Sequence, residues 1–313
     1  MIYTFKITIM TQSYKRTGLL FLFLLPLLLN AQQTARKFVQ KTQYLLYLPD
    51  GYGTDTSMRW PLVMFLHGSG ESSDNLEKVK THGPPKLVAA GKKFPFIVIS
   101  PQAWSAHEGY QPEVLYKLLE DVKKKYHVDD DRVYLTGLSM GGYETWEVVQ
   151  KHPEAFAAIT PTSGGGDAGK AWQLRHLSIW CFHGAKDDVV PVKESQQMVD
   201  SARKYNQDIQ FTIYPAANHN SWEVTYNNDS VYAWLLSKKR SKYTAMAVPE
   251  NQLKAFTGWY CDKDMDTVQI ELENGKLHAG NGKGKSEERI EIKPPSATHY
   301  FISENDPTEV IFQ

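Results

Sequence analysis

The sequence is short of cysteine, with two residues in 313, Cys181 and Cys261. That excludes a scaffold built on disulfides. The two fall in segments that read below as different domains, so they are expected as small apolar side chains rather than as a bridge. An excess of charge is also missing: 35 Lys and Arg stand against 35 Asp and Glu. Nothing in that balance supplies the basic surface needed to hold nucleic acid or anionic lipid. No Cys/His cluster has metal-ligand spacing. Gly68-Ser69-Gly70 does not extend to a dinucleotide fingerprint, because Ser73 stands where G-x-G-x-x-G needs its last glycine. Ala279 to Ser286 satisfies a relaxed phosphate-loop spacing, but it begins on Ala and lies between strand-like segments instead of between a strand and a helix. No internal repeat and no low-complexity stretch is present. Neither a cofactor nor a metal is therefore expected.

Long apolar runs are scarce as well. The N-terminal one, Leu19 to Leu29, is broken by Pro26 and is shorter than the roughly 20 residues that span a bilayer. Lys15 and Arg16 precede it and Asn30-Ala31-Gln32 follows, the order of a secretory signal peptide. Residues 1–31 are read as that signal, with Met10 as an alternative start and an uncleaved anchor as the rival reading. Its removal takes away three basic and no acidic residues and leaves 32 basic against 35 acidic. No cysteine follows the apolar run, so lipid attachment is not indicated. The expected location is secreted or periplasmic, without a stable membrane anchor after cleavage.

What remains has the composition of a soluble globular protein, 42% hydrophobic and 22% charged, and is long enough for a large domain and a small one. From Thr42 to about Lys238, short apolar runs alternate with amphipathic stretches. The runs are Tyr44 to Leu48, Leu62 to Leu66, Phe96 to Ser100, Arg132 to Thr136, Phe156 to Thr160, Leu177 to Phe182 and Ile209 to Tyr214. Such runs suit strands covered on both faces, as in a mostly parallel sheet. Between them Val114, Leu115, Leu118, Leu119 and Val122 recur at helical spacing, and Glu194 to about Tyr205 and Ser230 to Lys238 add two more helices. Alternation of this kind predicts an α/β fold with helices on both faces over residues 32–240. Beyond Pro249 the pattern changes to period two, as in Thr267 to Leu272, with Asn274-Gly275 as a hairpin turn. Residues 250–313 are read as a small antiparallel β domain, with an incomplete domain as the alternative.

The chemistry begins at Gly137-Leu138-Ser139-Met140-Gly141-Gly142, which fits the nucleophile elbow G-x-S-x-G. The strand-like run before it and the helix-like stretch from Tyr143 to Lys151 give it the required context. A serine hydroxyl needs a base, and the base an orienting acid. In chain order the acid is expected after the next strands: Asp187, in the loop that follows Leu177 to Phe182, with Asp188 the alternative. The base is His219, after Ile209 to Tyr214. His183 ends a strand and is read as structural, and His278 and His299 lie in the β domain. The oxyanion donors are expected at the backbone N–H of Met140, next to the nucleophile, and of Ser69, in the loop after the early strand. Gln102, Trp104 and Trp222, with Tyr110, stand near these loops as candidate substrate contacts, against the plainer reading of packing residues.

Taken together, Pro61 to Glu71, Gly83-Pro-Pro85, Ser100-Pro-Gln102, the elbow, His183-Gly184 with Asp187 and Pro191, and His219-Asn-Ser-Trp222 resemble a family of bacterial α/β-hydrolases. It is the phospholipase/carboxylesterase-like family, close to feruloyl esterases and polyhydroxybutyrate depolymerases, whose members often carry the name of peptidase. The resemblance covers about residues 40–238. It implies a triad at Ser139, Asp187 and His219 and an oxyanion hole at Ser69 and Met140. It also implies a serine carboxylesterase acting on a small-molecule or polysaccharide-linked ester, plausibly acyl or feruloyl. A peptidase of the same fold and a non-catalytic glycan- or surface-binding protein are the alternatives left open. The oligomeric state is not legible.

Overall fold

The computed structural model describes residues 42–242, 247–261, 267–280 and 289–293, and the backbone of 299–301 and 309–311. The N-terminal segment read as a signal peptide lies outside the described residues, as does most of the phosphate-loop-like stretch.

Seven strands form the main sheet: β1 Tyr44–Tyr47, β2 Trp60–Leu66, β3 Ile97–Pro101, β4 Val128–Leu138, β5 Ala158–Thr162, β6 Ser178–Gly184 and β7 Ile209–Tyr214. Their spatial order is β1-β3-β2-β4-β5-β6-β7. β1 pairs antiparallel with β3, and every other neighbour is parallel. Strands β2, β3 and β5 are buried along their whole length, because helices cover both faces, and this is why β2 reads as an unbroken apolar run. The covering helices are α1 Gly83–Ala89, α2 Pro112–Lys125, α3 Met140–Lys151, α4 Val192–Ala202, α5 Trp222–Tyr226 and α6 Asp229–Leu236. One core lies around Leu62, Met64, Leu119, Leu135, Trp146 and Met198. A second lies around Val63, Phe65, Phe96, Tyr134, Tyr226 and Leu235. Alternate residues of β2 thus feed opposite faces, as the strand period of two demands.

The sequence pattern differs from the structure in small ways with local causes. The run Phe156 to Thr160 predicts a strand two residues early, because Pro153–Ala155 forms a 3-10 turn and β5 starts only at Ala158. Helices α1 and α5 were not expected. Both are too short to show a period, and α1 hides behind Pro84 and Pro85, which are tolerated in a first helical turn.

The C-terminal part carries α7 Glu250–Leu253 and a separate four-stranded sheet: β8 Gly258–Cys261, β9 Thr267–Glu273, β10 Lys276–Gly280 and β11 Ile290–Ile292. Its order is β11-β10-β9-β8, antiparallel throughout. Asn274 and Gly275 turn β9 into β10 with φ of 53° and 75°, both in the left-handed region that a two-residue hairpin of this kind requires. Leu253, Ile270, Leu277 and Ile292 form its own small core. Strands β12 His299–Phe301 and β13 Glu309–Ile311 form an antiparallel pair. Cys181 is buried in β6 and Cys261 exposed in β8, in different sheets.

Candidate active site

The parallel strands of the main sheet end on one edge, and the loops that follow β2, β4, β6 and β7 supply the candidate residues. Ser139 stands between β4 and α3 with φ 52° and ψ −117°, a conformation that costs a non-glycine residue energy and is held by what surrounds it. Its N–H donates to Thr162 O at 3.0 Å. The turn is possible because α3 passes against β2. A Cβ on Gly141 would lie 2.2 Å from Leu66 O, so nothing larger than glycine fits there.

Ser139, His219 and Asp187 meet in hydrogen-bonding line. Ser139 Oγ lies 3.0 Å from His219 Nε2, and His219 Nδ1 lies 2.8 Å from Asp187 Oδ2. A carboxylate only accepts, so Nδ1 of His219 carries the hydrogen and Nε2 is left to accept from the serine. The Asp187 side chain is fully buried. Its Oδ1 accepts the N–H groups of Val189 and Val190 at 3.0 and 2.8 Å. Burial works to raise the Asp187 pKa, but the bonds from His219, Val190 and Val189 outweigh it and hold the carboxyl below its ordinary range. Asp188, the alternative acid, is exposed beside it.

Ser69 opens a 3-10 turn, Ser69–Glu71, directly after Gly68, where an added Cβ would sit 3.6 Å from the Ser139 Cβ. The loop therefore runs alongside Ser139. His67 explains its orientation. His67 Nε2 accepts the Ala103 N–H at 3.0 Å, so Nδ1 carries the hydrogen and donates to Gly68 O at 2.7 Å. Gly68 O is thus pinned inward, and in a trans peptide the Ser69 N–H points the opposite way. Burial lowers the His67 pKa to about 4, only partly offset by the bond to Gly68, which keeps the ring in this neutral tautomer. Glu71 Oε2 accepts the Gly68 N–H at 3.0 Å from the other side. Met140 is the first residue of α3, where an N–H has no partner within its own helix.

The three candidate substrate contacts part company. Gln102 is buried, and its Nε2 donates to Glu71 O at 2.8 Å and Ala103 O at 3.1 Å, while its Oε1 has no hydrogen-bond partner among the described residues. Tyr110 is likewise buried, accepting the His67 N–H at 2.9 Å and donating to Pro101 O at 3.3 Å. Trp222 is buried edge-on to the His219 ring, centroids 4.9 Å apart. Trp104 differs: it is 69% exposed, on the loop between β3 and α2. Of the three it has a face open to meet another molecule.

Several contributors escaped the sequence reading. Ser163 Oγ donates to His219 O at 3.2 Å and lies 2.7 Å from Ser221 Oγ. His82, at the start of α1, lies 2.9 Å from Glu223 on α5 and 3.6 Å from Glu71, and Lys86 completes the group with an ion pair to Glu223. These contacts join the Ser69–Glu71 loop to the segment that follows His219. Burial raises the Glu71 pKa, with His82 and the Gly68 N–H opposing it. Among the described residues no group of three or more His, Cys, Asp or Glu is placed to hold a metal ion.

The chain is similar to known hydrolases. Over 149 residues the chain is 28% identical to a bifunctional acetylxylan esterase/xylanase of Neocallimastix patriciarum, covering 46% of this chain and 22% of that protein. Over 179 residues it is 23% identical to a probable feruloyl esterase C of Aspergillus terreus, covering 56% and 64%. The chain thus spans less than two thirds of the length of either relative. Among solved structures it is similar to a thermostable esterase, with a TM-score of 0.54 and 28% identity over 63% of this chain and 59% of the other. The model of the dienelactone hydrolase family matches residues 100–259, from the end of β3 through Ser139, Asp187 and His219 into β8, and the chain belongs to that family of α/β-hydrolases.

Proposed function

We propose that the protein is an exported serine hydrolase that cleaves carboxylic esters through an acyl-enzyme intermediate. The observation that carries this reading is the unbroken line from Ser139 Oγ through His219 to the buried Asp187, at 3.0 and 2.8 Å. Ser139 attacks the ester carbonyl while His219 Nε2 takes its proton, and Asp187 keeps the imidazole in the tautomer that can do so. The carbonyl oxygen gathers charge as it becomes tetrahedral. The N–H groups of Met140 and Ser69 flank the nucleophile and are assigned to receive it. His219 then gives its proton to the departing alcohol, and water repeats the sequence to free the acid. Because an ester leaving group departs as an alcohol, the same parts serve an acyl or aryl-acyl ester of a sugar. The names of the relatives, an acetylxylan esterase and a feruloyl esterase, support that substrate class. The order of basic, apolar and small residues over 15–31 supports export.

The experiment is a panel of p-nitrophenyl acetate, methyl ferulate, acetylated xylan and an aminoacyl anilide, with Ser139→Ala alongside. The expected result is ester turnover that falls by about 10⁴-fold in the variant, with Ser139 the residue labelled by a fluorophosphonate. Labelling at another serine overturns the nucleophile. Faster turnover of the anilide than of every ester makes the protein a peptidase instead.

A further inference from the structure

Beside Asp187 lies a second imidazole. His183 sits near the end of β6 and is wholly buried. Its Nε2 is 2.9 Å from Val190 O and 3.2 Å from Asp187 Oδ2. Both neighbours only accept, so Nε2 carries a hydrogen. Its Nδ1 is 2.7 Å from Ser195 Oγ on α4, and Ser195 Oγ is 2.6 Å from Gly164 O. Burial is the largest influence on the ring and lowers its pKa. Nε2 therefore carries the hydrogen that faces Val190 O and Asp187, and the Ser195 hydroxyl beside Nδ1 donates to Gly164 O.

The atom that matters is Asp187 Oδ2. It takes the Nδ1–H of His219 at 2.8 Å and faces the Nε2–H of His183 at 3.2 Å. A continuous path therefore runs from Ser139 through His219, Asp187, His183 and Ser195 to Gly164. Gly164 presses on the first turn of α3, where a Cβ would lie 2.5 Å from Gly142 C and 2.6 Å from Tyr143 N. The path thus returns to the helix that Ser139 caps.

We propose that His183 is a positioning residue for the acid. It holds Asp187 Oδ2 in line with His219, and by sharing that oxygen's negative charge it limits how strongly Asp187 stabilises a protonated His219. The proposal rests on the roles assigned above to Ser139, Asp187 and His219. Two donors on one oxygen divide its charge between them. Remove the His183 donor and Asp187 acts on His219 alone, which favours the imidazolium. The other groups about this site are Tyr143 on α3, whose phenol senses both Asp187 and Glu194, Glu194 itself on α4, and the Cys181 thiol on β6, which burial keeps protonated. Trp222 covers the His219 ring without a charge.

Two substitutions separate the roles. His183→Asn keeps a polar atom at the Nδ1 position toward Ser195 and loses the donor to Asp187. His183→Gln reaches the Nε2 position and keeps that donor. The measurement is the pH profile of kcat/KM for p-nitrophenyl acetate, with thermal unfolding as the control for folding. Expected is a rise of the acidic limb by about one pH unit in His183→Asn, equivalent to tenfold at pH values on that limb. The limb in His183→Gln should stay within about 0.3 unit of wild type. In parallel, proton NMR of the full chain carrying Ser139→Ala should show two low-field imidazole N–H resonances, one of which disappears when His183→Asn is added. That spectrum is read without turnover, so it tests the contact even where a variant loses rate for other reasons. An unmoved limb in both variants, or a limb that moves equally in both, overturns the proposal. So does a spectrum unaltered by His183→Asn. Wild-type turnover in Ser139→Ala would instead bring down the assignment of the nucleophile and leave the His183 contact standing as structure alone.

Discussion

Ser163 holds His219 by its backbone. The Ser163 hydroxyl, at the end of β5, donates to the carbonyl oxygen of His219 at 3.2 Å across 56 residues of sequence. Ser163 itself stands at φ 50°, and its N–H donates to Phe182 O at 2.9 Å, so the hydroxyl is aimed by a backbone that is costly to hold. Geometry at the base is the quantity at stake, since an error of about 1 Å in a reacting group costs roughly 10²-fold in rate. Ser163→Gly removes the bond and relieves the φ cost, whereas Ser163→Ala removes the bond and keeps it. Both are expected to lower kcat by about tenfold with little change in KM. Only the alanine variant should also lose melting temperature. Equal kcat in wild type and both variants would show that His219 is held by other contacts.

The two adjacent aspartates make a sharp contrast. Asp187 is buried, accepts the N–H groups of Val189, Val190 and His219 and faces that of His183, whereas Asp188 is exposed. Asn at 187 keeps the Val189 and Val190 bonds on Oδ1 but turns an NH2 toward His219 Nδ1. The imidazole is then driven to the other tautomer, in which Nε2 carries hydrogen and accepts nothing from Ser139. Asp187→Asn is expected to lower kcat by about 10⁴-fold and Asp188→Asn by less than about twofold. Comparable losses at the two positions would mean that the acid is wrongly assigned.

These two cases show what was legible in the sequence. That Ser139, Asp187 and His219 come together was legible because the fold places each just past the end of a strand, and buried parallel strands announce themselves as apolar runs. The hairpin at Asn274-Gly275 was legible for a different reason: few residue pairs tolerate two successive left-handed positions. Ser163, His67, His82 and Glu223 were not found. Their contacts link residues 56, 36 and 141 positions apart, and no periodicity records such distances. His67 stood in plain view in a recognised motif, yet its job, to pin Gly68 O so that Ser69 N–H faces outward, depends on a tautomer that only Ala103 N–H fixes. Gln102 was read from a different signal. A polar residue beside a catalytic loop reads as a substrate contact, and its burial against Glu71 O becomes visible only in three dimensions.

His67 also predicts an acid sensitivity. Its pKa is about 4 in the folded chain against 6.5 for an unhindered imidazole, because burial penalises the charge. The unfolded chain therefore binds a proton that the folded chain does not, between pH 6.5 and about 4. Stability from this group is complete above pH 6.5 and is lost as pH falls to about 4, by roughly 3 kcal/mol at most. His67→Asn, which keeps a donor toward Gly68 O, removes this term. The gap in melting temperature between wild type and variant is expected to narrow or reverse as pH falls from 7 to 4. A gap independent of pH would show that His67 is not the group that resists protonation.

Glu144 runs the opposite way over almost the same window. It lies on α3, one turn past Met140, and is only 7% exposed, with Oε1 lacking a hydrogen-bond partner among the described residues. Burial raises its pKa from 4.5 to about 7, with Glu147 adding to the rise and Lys151 opposing it. The folded chain keeps a proton that the unfolded chain releases between pH 4.5 and about 7. Its contribution to stability is complete below pH 4.5 and is lost as pH rises to about 7, again by roughly 3 kcal/mol at most. The losses from His67 on the acid side and Glu144 on the basic side offset one another, so the wild type is expected to show a flat melting temperature between pH 4.5 and 7. Glu144→Gln preserves the shape and cannot ionise. It should melt several degrees above wild type at pH 8 and close to it at pH 4.5, and its profile should fall toward acid as the His67 term is uncovered. Melting curves of wild type and Glu144→Gln in four buffers from pH 4.5 to 8 decide the matter. A constant offset across that range would mean that Glu144 is ionised in the folded protein and that a partner for its Oε1 holds the charge.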